Sequence, residues 1–207
     1  MDEKARLLIA TQNRGKWAEI RQILSDLPFR FLSLKDFPAI NAVEETGKTF
    51  MDNAVLKANG YASQTRTLTL ADDSGLEVDA LEGKPGVFSA RYAGERASDE
   101  ERVKRLLDDL ASVDALGRTA RFVSAIAVAN PEGKILKLSI GSCEGAISFS
   151  PHGEGGFGYD PIFIPLGYDL SFAELGSEIK NDISHRARAL AETRDYLAGL
   201  THRSAAD

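Results

Sequence analysis

A short apolar run near the start of the chain, LLIA at positions 7–10, most constrains the fold. A run this short, with no alternation of polar residues, is typical of a strand buried on both faces. After a polar turn at 11–15 come apolar residues at helical spacing, namely Trp17, Ile20, Ile23, Leu24 and Leu27. The chain therefore begins with a strand followed by a helix, as α/β proteins do.

The remaining segments extend this pattern and then change it. Further strands are predicted at 29–34, 68–71, 118–129 and 135–140, with a short apolar stretch at 162–164. Helices are predicted at about 49–63, 98–110 and 184–200, the second opened by a capping box. A turn at 130–133 makes the later strands an antiparallel hairpin. We therefore expect an α/β fold, and residues 1–207 as a single domain of two lobes on one continuous sheet, with a cleft between the lobes.

The composition limits the partners of this chain. It has 25 Lys and Arg against 31 Asp and Glu, a formal net charge of −6, so it has no general attraction to nucleic acid or anionic membranes. Any polyanionic substrate must be held by a few focused cations or by a metal. One cysteine, Cys143, excludes an internal disulfide and fits a reducing compartment. With no signal peptide and no apolar run of about 20 residues, a cytoplasmic protein is expected.

Two acidic pairs predict a metal. Residues 72–75, DDSG, directly follow a predicted buried strand, where the ligand crevice of α/β proteins lies. Asp72 and Asp73 repel each other unless a cation lies beside them. Glu44 and Glu45 form a second pair in the preceding loop, and such oxygen ligands suit magnesium. The alternative is that 72–75 is only a turn, since Asp, Ser and Gly are turn residues.

The helix after Thr49 carries an unusual lysine. Lys57 falls within the apolar stripe that Phe50, Ala54 and Tyr61 form at helical spacing, and Asn53 borders it. An inward lysine either extends its ammonium group to solvent or meets an anion.

Two more cations open predicted helices. Lys16 and Arg186 each lie in a first helical turn, where positive charge opposes the helix dipole, unless an anion binds there. Thr11, Asn13 and Gly15 offer hydroxyl, amide and backbone N–H groups to the same anion. The glycine spacing matches neither a Walker A loop nor a dinucleotide fingerprint.

A glycine-rich segment at 155–161 surrounds one aromatic residue, Phe157. Its glycines permit close backbone approach and leave Phe157 free to stack on a planar ring, although an ordinary hairpin connection is the alternative. Lys180, His185 and Arg186 follow and supply the hydrogen-bond donors that a base bearing carbonyl groups requires. A lone histidine in such a position is more often structural.

Six stretches then recur in the order of a known family and span nearly the whole chain. They are ATQNRGK (10–16), EETGKTFMDNAVLKA (44–58), ADDSGLEVDAL (71–81), PGVFSARYAG (85–94), GGFGYDPIF (155–163) and SHRARAL (184–190). The sequence resembles the inosine triphosphate pyrophosphatase family, also called the Ham1-like family. The resemblance implies two α/β lobes around a long, twisted, mixed β-sheet with a cleft between them, and a homodimer. It also implies Mg²⁺-dependent release of pyrophosphate from inosine, deoxyinosine and xanthosine triphosphates (ITP, dITP and XTP).

The resemblance also implies roles for individual residues. The triphosphate would be bound by Thr11, Gln12, Asn13, Arg14, Gly15 and Lys16. Asp73 would be the metal-binding and catalytic carboxylate, with Ser74 beside it, and Glu44 or Glu45 would be a further metal ligand. The nucleotide would contact Phe157, Gly158, Tyr159, Asp160, Lys180, His185 and Arg186. Gln12 departs from the family, in which glycine is common at that position.

Both lines of reasoning predict metal-assisted phosphoryl chemistry. Lys16 and Lys57 would neutralise the triphosphate, and the metal or a carboxylate of Asp72 or Asp73 would orient the attacking water. The sequence leaves open attack at the α- or the β-phosphorus. Two alternatives remain: a nucleotide-binding regulator without turnover, and a Maf-like enzyme acting on modified pyrimidine nucleotides, against which the GGFGYDP and SHR stretches speak.

Overall fold

The computed structural model describes residues 5–204 of the chain, with side chains through Thr201. The strands are β1 (Arg6–Ile9), β2 (Arg30–Ser33), β3 (Leu68–Val78), β4 (Thr119–Ala129), β5 (Ile135–Ile147) and β6 (Phe163–Pro165). The helices are α1 (Arg14–Ile23), α2 (Phe50–Thr65), α3 (Asp99–Asp109), α4 (Phe172–Ile183) and α5 (His185–Ser204). No helix within these residues is long and apolar enough to cross a membrane.

The sheet is mixed, with strand order β2-β1-β3-β4-β5-β6. β1 runs parallel to both of its neighbours, so that Leu8 pairs with Leu32 on β2 and with Thr69 on β3. β6 pairs antiparallel to β5. The predicted α/β class with a mixed sheet is confirmed, and so is the burial of β1, in which Leu7, Leu8 and Ile9 are fully buried.

The described chain divides into two compact units, each built from separate segments. The first unit comprises the residues up to 73, 124–141 and those from 186 onward, and its core includes Leu7, Ile20, Leu70, Ile126 and Leu190. The second unit comprises 74–123 and 142–185, and its core includes Leu76, Leu106, Phe122, Phe163 and Phe172. Three strands, β3, β4 and β5, contribute residues to both units.

Two strands are longer than the sequence pattern predicted, and the alternative of a turn at 72–75 is wrong. β3 continues through those residues to Val78 because Leu76 and Val78 extend its buried face, and because buried cations neutralise its carboxylates. β5 continues to Ile147, since Cys143 and Ile147 are buried as well. α4 was not anticipated, although Ser171 and Glu174 form its capping box.

Candidate active site

Asp72 is the most highly connected carboxylate of the first unit. Its side chain is fully buried, and Lys16 Nζ lies 2.8 Å from Oδ2. Ser124 Oγ donates to Oδ1 at 2.6 Å, and Arg186 Nη2 lies 3.5 Å from Oδ2. Burial alone would raise the pKa of Asp72, but the positive charges of Arg186 and Lys16 outweigh it and hold the pKa well below its usual range. Asp72 is therefore an ionised carboxylate whose two oxygens are both engaged.

Arg186 links this carboxylate to a second one. It lies at the start of α5, its side chain is 1% exposed, and Nη1 donates to Glu19 Oε2. Lys16 lies in the first turn of α1, so both cations occupy the helix starts that the sequence predicted. The anion that each of them meets is a carboxylate of the protein, Asp72. Burial lowers the pKa of Lys16, and Asp72 opposes that shift only in part.

Lys57 joins a second pair of carboxylates in the same unit. Its side chain is 10% exposed, and Nζ donates to Asp73 Oδ1 at 2.8 Å and to Glu45 Oε2 at 2.9 Å. The inward lysine therefore meets anions. Burial acts to lower the pKa of Lys57, but Asp73 and Glu45 outweigh it and raise the pKa.

The loop before α2 positions Glu45. Asn53 Oδ1 accepts a hydrogen bond from the Gly47 N–H at 2.8 Å, which fixes the loop beside the helix. A side chain at Gly47 would not fit, because its Cβ would lie 2.5 Å from Asp52 Cβ. Glu44 and Glu45 are both exposed, but Glu44 forms no ion pair with any described residue. Of the two glutamates, only Glu45 reaches Lys57.

The charges of this network favour binding of an additional cation. The ionised side chains number three cations and four anions, a net charge of −1: Lys16, Lys57 and Arg186 against Glu19, Glu45, Asp72 and Asp73. Within residues 5–201, Asp73 Oδ2 is buried and accepts no hydrogen bond. Burial raises the pKa of Asp73, although Lys57 and Lys16 oppose the shift. An additional cation would offset the net negative charge and would give Asp73 Oδ2 a partner.

The carboxylate donors fit magnesium better than they fit a metal whose ligands all come from the protein. No group of three or more His, Cys, Asp or Glu side chains that could hold a metal occurs among the described residues. Magnesium is usually held by one or two carboxylates, with waters and substrate phosphates completing the octahedron. Asp73 and Glu45, which converge on one lysine nitrogen, supply such a pair.

The turn at 11–13 leads into α1. Asn13 caps the helix, since its Oδ1 accepts from Lys16 N–H at 3.0 Å, and Thr11 Oγ1 accepts from Asn13 N–H at 3.2 Å. Gln12 and Arg14 are exposed, and Gly15 is partly exposed. This turn presents the start of α1, with its partial positive charge, beside Lys16.

In the second unit, the glycine-rich segment has a defined structure. Asp160, 2% exposed, accepts from Phe157 N–H at 2.9 Å and from Lys180 Nζ at 2.5 Å. Lys180 Nζ lies 4.4 Å from the centre of the Phe157 ring, and Asp99 accepts from Gly158 N–H at 2.7 Å. Two carboxylates therefore hold the backbone on either side of the Phe157 side chain.

Close packing fixes the same segment at two further points. Gly156 has φ +76°, and a Cβ there would lie 2.1 Å from Asp160 Oδ2, so only glycine fits. The Tyr159 hydroxyl donates to Ser89 O at 3.0 Å. The segment lies in the connection between the antiparallel strands β5 and β6, as the hairpin alternative predicted, and these contacts hold it in a defined conformation. His185 is buried and stacks on Phe122, with ring centres 4.7 Å apart.

The predicted site residues are distributed over both units. The first unit brings together Lys16, Lys57, Asp72, Asp73, Glu45 and Arg186, and the second brings together Phe157, Gly158, Asp160 and Lys180. Sequence reasoning missed Glu19, Ser124 and Asp99. Glu19 had a signal, since it lies one turn from Lys16 on the same helix, and Ser124 had another, as a polar residue within an apolar strand.

Comparisons with known proteins agree over nearly the full length of the chain. The model of the Ham1 family matches residues 7–196. A dITP/XTP pyrophosphatase of Geobacter sulfurreducens is 54% identical over 192 residues, which cover 93% of this chain and 96% of that protein. One of Halalkalibacterium halodurans is 47% identical, over 92% of this chain and 97% of that protein. The solved structure of a HAM1 protein from Coxiella burnetii superposes with a TM-score of 0.85 at 42% identity, covering 94% of this chain and 99% of that one.

Proposed function

The chain belongs to the Ham1 family, and from this premise we propose that it hydrolyses non-standard purine nucleoside triphosphates, namely ITP, dITP and XTP. The products are the nucleoside monophosphate and pyrophosphate, so the enzyme removes these nucleotides from the cellular pool. The names of the relatives support this activity. The observation that carries it in the structure is the convergence of Lys57, Asp73 and Glu45, with one oxygen of Asp73 free of hydrogen bonds among the described residues. Nothing in the comparisons favours the Maf-like or the non-catalytic alternative.

We further propose that Asp73 and Glu45 hold Mg²⁺. When bound, the ion would offset the negative charge on the phosphate oxygens. Lys57 stabilises the ionised form of both carboxylates, because its ammonium group is hydrogen bonded to each. Lys16, with the backbone N–H groups at the start of α1, binds the triphosphate.

The two neighbouring aspartates have different tasks in this proposal. Both oxygens of Asp72 face cations or the Ser124 hydroxyl, and its lowered pKa makes it a poor base, so it positions Lys16. Asp73 Oδ2, which accepts no hydrogen bond from a described residue, orients the attacking water and takes its proton. As the water oxygen bonds to the α-phosphorus, the bond from phosphorus to the bridging oxygen breaks, and pyrophosphate leaves with the electron pair.

Base recognition is proposed to rest on the glycine-rich segment at 155–161 in the second unit. Phe157 stacks on the purine, and Lys180, whose ammonium lies over that ring, is a donor suited to O6 of hypoxanthine or xanthine. Adenine carries an amino group at this position and would leave a donor unpaired, which is costly. Because Arg186 is engaged by Glu19 and Asp72, we assign it to positioning Asp72.

Three assays test these assignments. Pyrophosphate release is measured from ITP, dITP, XTP, GTP and ATP, each with Mg²⁺ and with a chelator in its place. We expect ITP and XTP to exceed ATP by about 10² in kcat/KM and to require Mg²⁺. Equal rates on ATP would exclude the proposed base recognition, and full activity in chelator would exclude the metal.

Hydrolysis in ¹⁸O-water tests the position of attack. It labels the monophosphate if attack is at the α-phosphorus and pyrophosphate if it is at the β-phosphorus.

We also propose that the protein is a cytoplasmic homodimer that binds small nucleotides and not nucleic acid. Its acidic net charge of −6 supports the last point. Light scattering coupled to size-exclusion chromatography measures the mass directly, and a monomer at micromolar concentration would contradict the dimer. Fractionation of the native cells tests the compartment.

A further inference from the structure

A cavity of about 620 Å³ lies in the first unit, apart from the carboxylate network. Its walls come from the turn at 11–14, from Trp17 on α1, from the segment 33–42 and from Tyr61 on α2. Lys16, Lys57, Asp72, Asp73 and Glu45 do not line it. The cavity therefore shares the turn with the proposed active site but not its metal or its catalytic carboxylate.

The walls of the cavity are suited to a planar apolar group. Trp17, Phe37 and Tyr61 contribute aromatic rings, and Leu34 and Ile40 contribute aliphatic side chains. The volume lies within the range of sites that bind small molecules, and such sites are lined mainly by apolar side chains with a few polar groups.

The charged residues of the cavity are all of one sign. Arg14 and Lys35 line it and no Asp or Glu does, although the chain as a whole carries a charge of −6. Neither cation forms an ion pair with a described residue, whereas Lys16, Lys57 and Arg186 are all paired with carboxylates. Two cations with no carboxylate partner make the cavity complementary to an anion.

A buried donor adds to this complementarity. Tyr61 is 4% exposed, and its hydroxyl oxygen accepts from Val43 N–H at 3.3 Å. Among the described residues, nothing accepts the proton of that hydroxyl group. A buried hydroxyl usually finds such a partner, and a polar atom of a ligand would supply one.

We propose that this cavity binds a small aromatic anion of the nucleoside monophosphate class. The planar base packs among Trp17, Phe37 and Tyr61, and Arg14 and Lys35 receive the phosphate. This proposal does not depend on the hydrolytic function, because the cavity shares only the turn at 11–14 with the proposed active site and includes none of its metal-binding or catalytic carboxylates.

The test uses the single tryptophan of the chain, Trp17, which lines the cavity. Its fluorescence is followed while AMP is added to the full-length protein, and adenosine and inorganic phosphate are added in parallel titrations. AMP should give a saturable change, and adenosine or phosphate alone should bind at least about tenfold more weakly, since each supplies half of the recognition. No saturable change with AMP up to about 10 mM would overturn the proposal.

Two variants and a matched control locate the ligand. Lys35→Ala removes an exposed cation of the cavity, and AMP affinity should fall about tenfold. Lys48→Ala removes an exposed lysine that does not line the cavity, and AMP affinity should be unchanged. If Lys35→Ala and Lys48→Ala change the AMP affinity equally, the proposed site is wrong. Phe37→Ala, at a partly exposed ring, should also weaken binding, and circular dichroism verifies that each variant is folded.

A last variant separates the cavity from the proposed active site. Lys57→Met alters the carboxylate network but no wall of the cavity, so its AMP titration should match that of the wild type. If Lys57→Met abolishes the fluorescence change while Lys35→Ala preserves it, AMP occupies the active site and the cavity proposal is wrong. Because no turnover is measured, failure of the hydrolytic proposal would not affect this result.

Discussion

Replacing Lys57 by methionine tests the central feature of the first unit. The change keeps the length and apolar character of the side chain and removes the ammonium group that bridges Asp73 and Glu45. Two carboxylates would then face each other with their shared cation removed. We expect a clear loss of stability even in the absence of nucleotide, because the cost arises within the folded protein.

The structure sets the size of this loss. Lys57 and Asp73 both have side chains that are 10% exposed, so their ion pair is largely buried. Removing one partner of a buried pair costs roughly 3–5 kcal/mol. Asp73 can relieve part of this cost by taking up a proton, since burial already raises its pKa. We therefore expect about 3 kcal/mol, a substantial fraction of the roughly 5–15 kcal/mol that stabilises a typical domain.

The assay is urea denaturation at pH 7, with two comparisons. Lys48→Met makes the same change of charge at an exposed lysine, and it should alter the free energy of unfolding by less than about 0.5 kcal/mol. In a double-mutant cycle, Asp73→Asn in the Lys57→Met background should recover at least about 1 kcal/mol relative to the sum of the single changes. If Lys57→Met is no more destabilising than Lys48→Met, the lysine does not hold the carboxylates and our reasoning fails.

Three further variants test the remaining assignments. Asp73→Asn should lower kcat/KM on ITP by about 10³ and abolish the rise in Tm that we expect Mg²⁺ to give the wild type; a variant that keeps a tenth of the activity would contradict the assignment. Arg186→Ala should cost about 3 kcal/mol in urea denaturation, because it leaves Asp72 and Glu19 without their shared cation, and a loss below about 1 kcal/mol would refute this. Phe157→Ala should raise KM for ITP at least about tenfold, from the loss of stacking, and an unchanged KM would exclude that role.

The inward direction of Lys57 was predictable from helical spacing alone, and its partners were not. The spacing placed the lysine among Phe50, Ala54 and Tyr61, and the structure buries all four residues. The sequence could not decide whether the ammonium group escapes to solvent or meets an anion. That outcome depends on β3 and on the loop before α2, which lie at other positions in the chain.

The different surroundings of Asp72 and Asp73 depend on a local structure that the sequence left open, because a turn at 72–75 was an alternative. In a turn, the two carboxylates would have no defined directions and would look equivalent. Within a strand, successive side chains point to opposite faces. Asp72 accordingly meets Lys16 and Arg186, while Asp73 meets Lys57. The composition of 72–75 favours a turn, and only tertiary packing, with buried cations on both faces, continues the strand through it.

The surroundings of Asp72 bear on how the protein is made. Lys16, Ser124 and Arg186 come from the three separate segments of the first unit, and all three contact this one carboxylate. Glu19 and Arg186 are 167 residues apart in the chain. Since a protein emerges from the ribosome N-terminus first, Asp72 leaves it long before its arginine partner is synthesised. A nascent chain therefore cannot assemble this centre until Arg186 at the start of α5 has emerged.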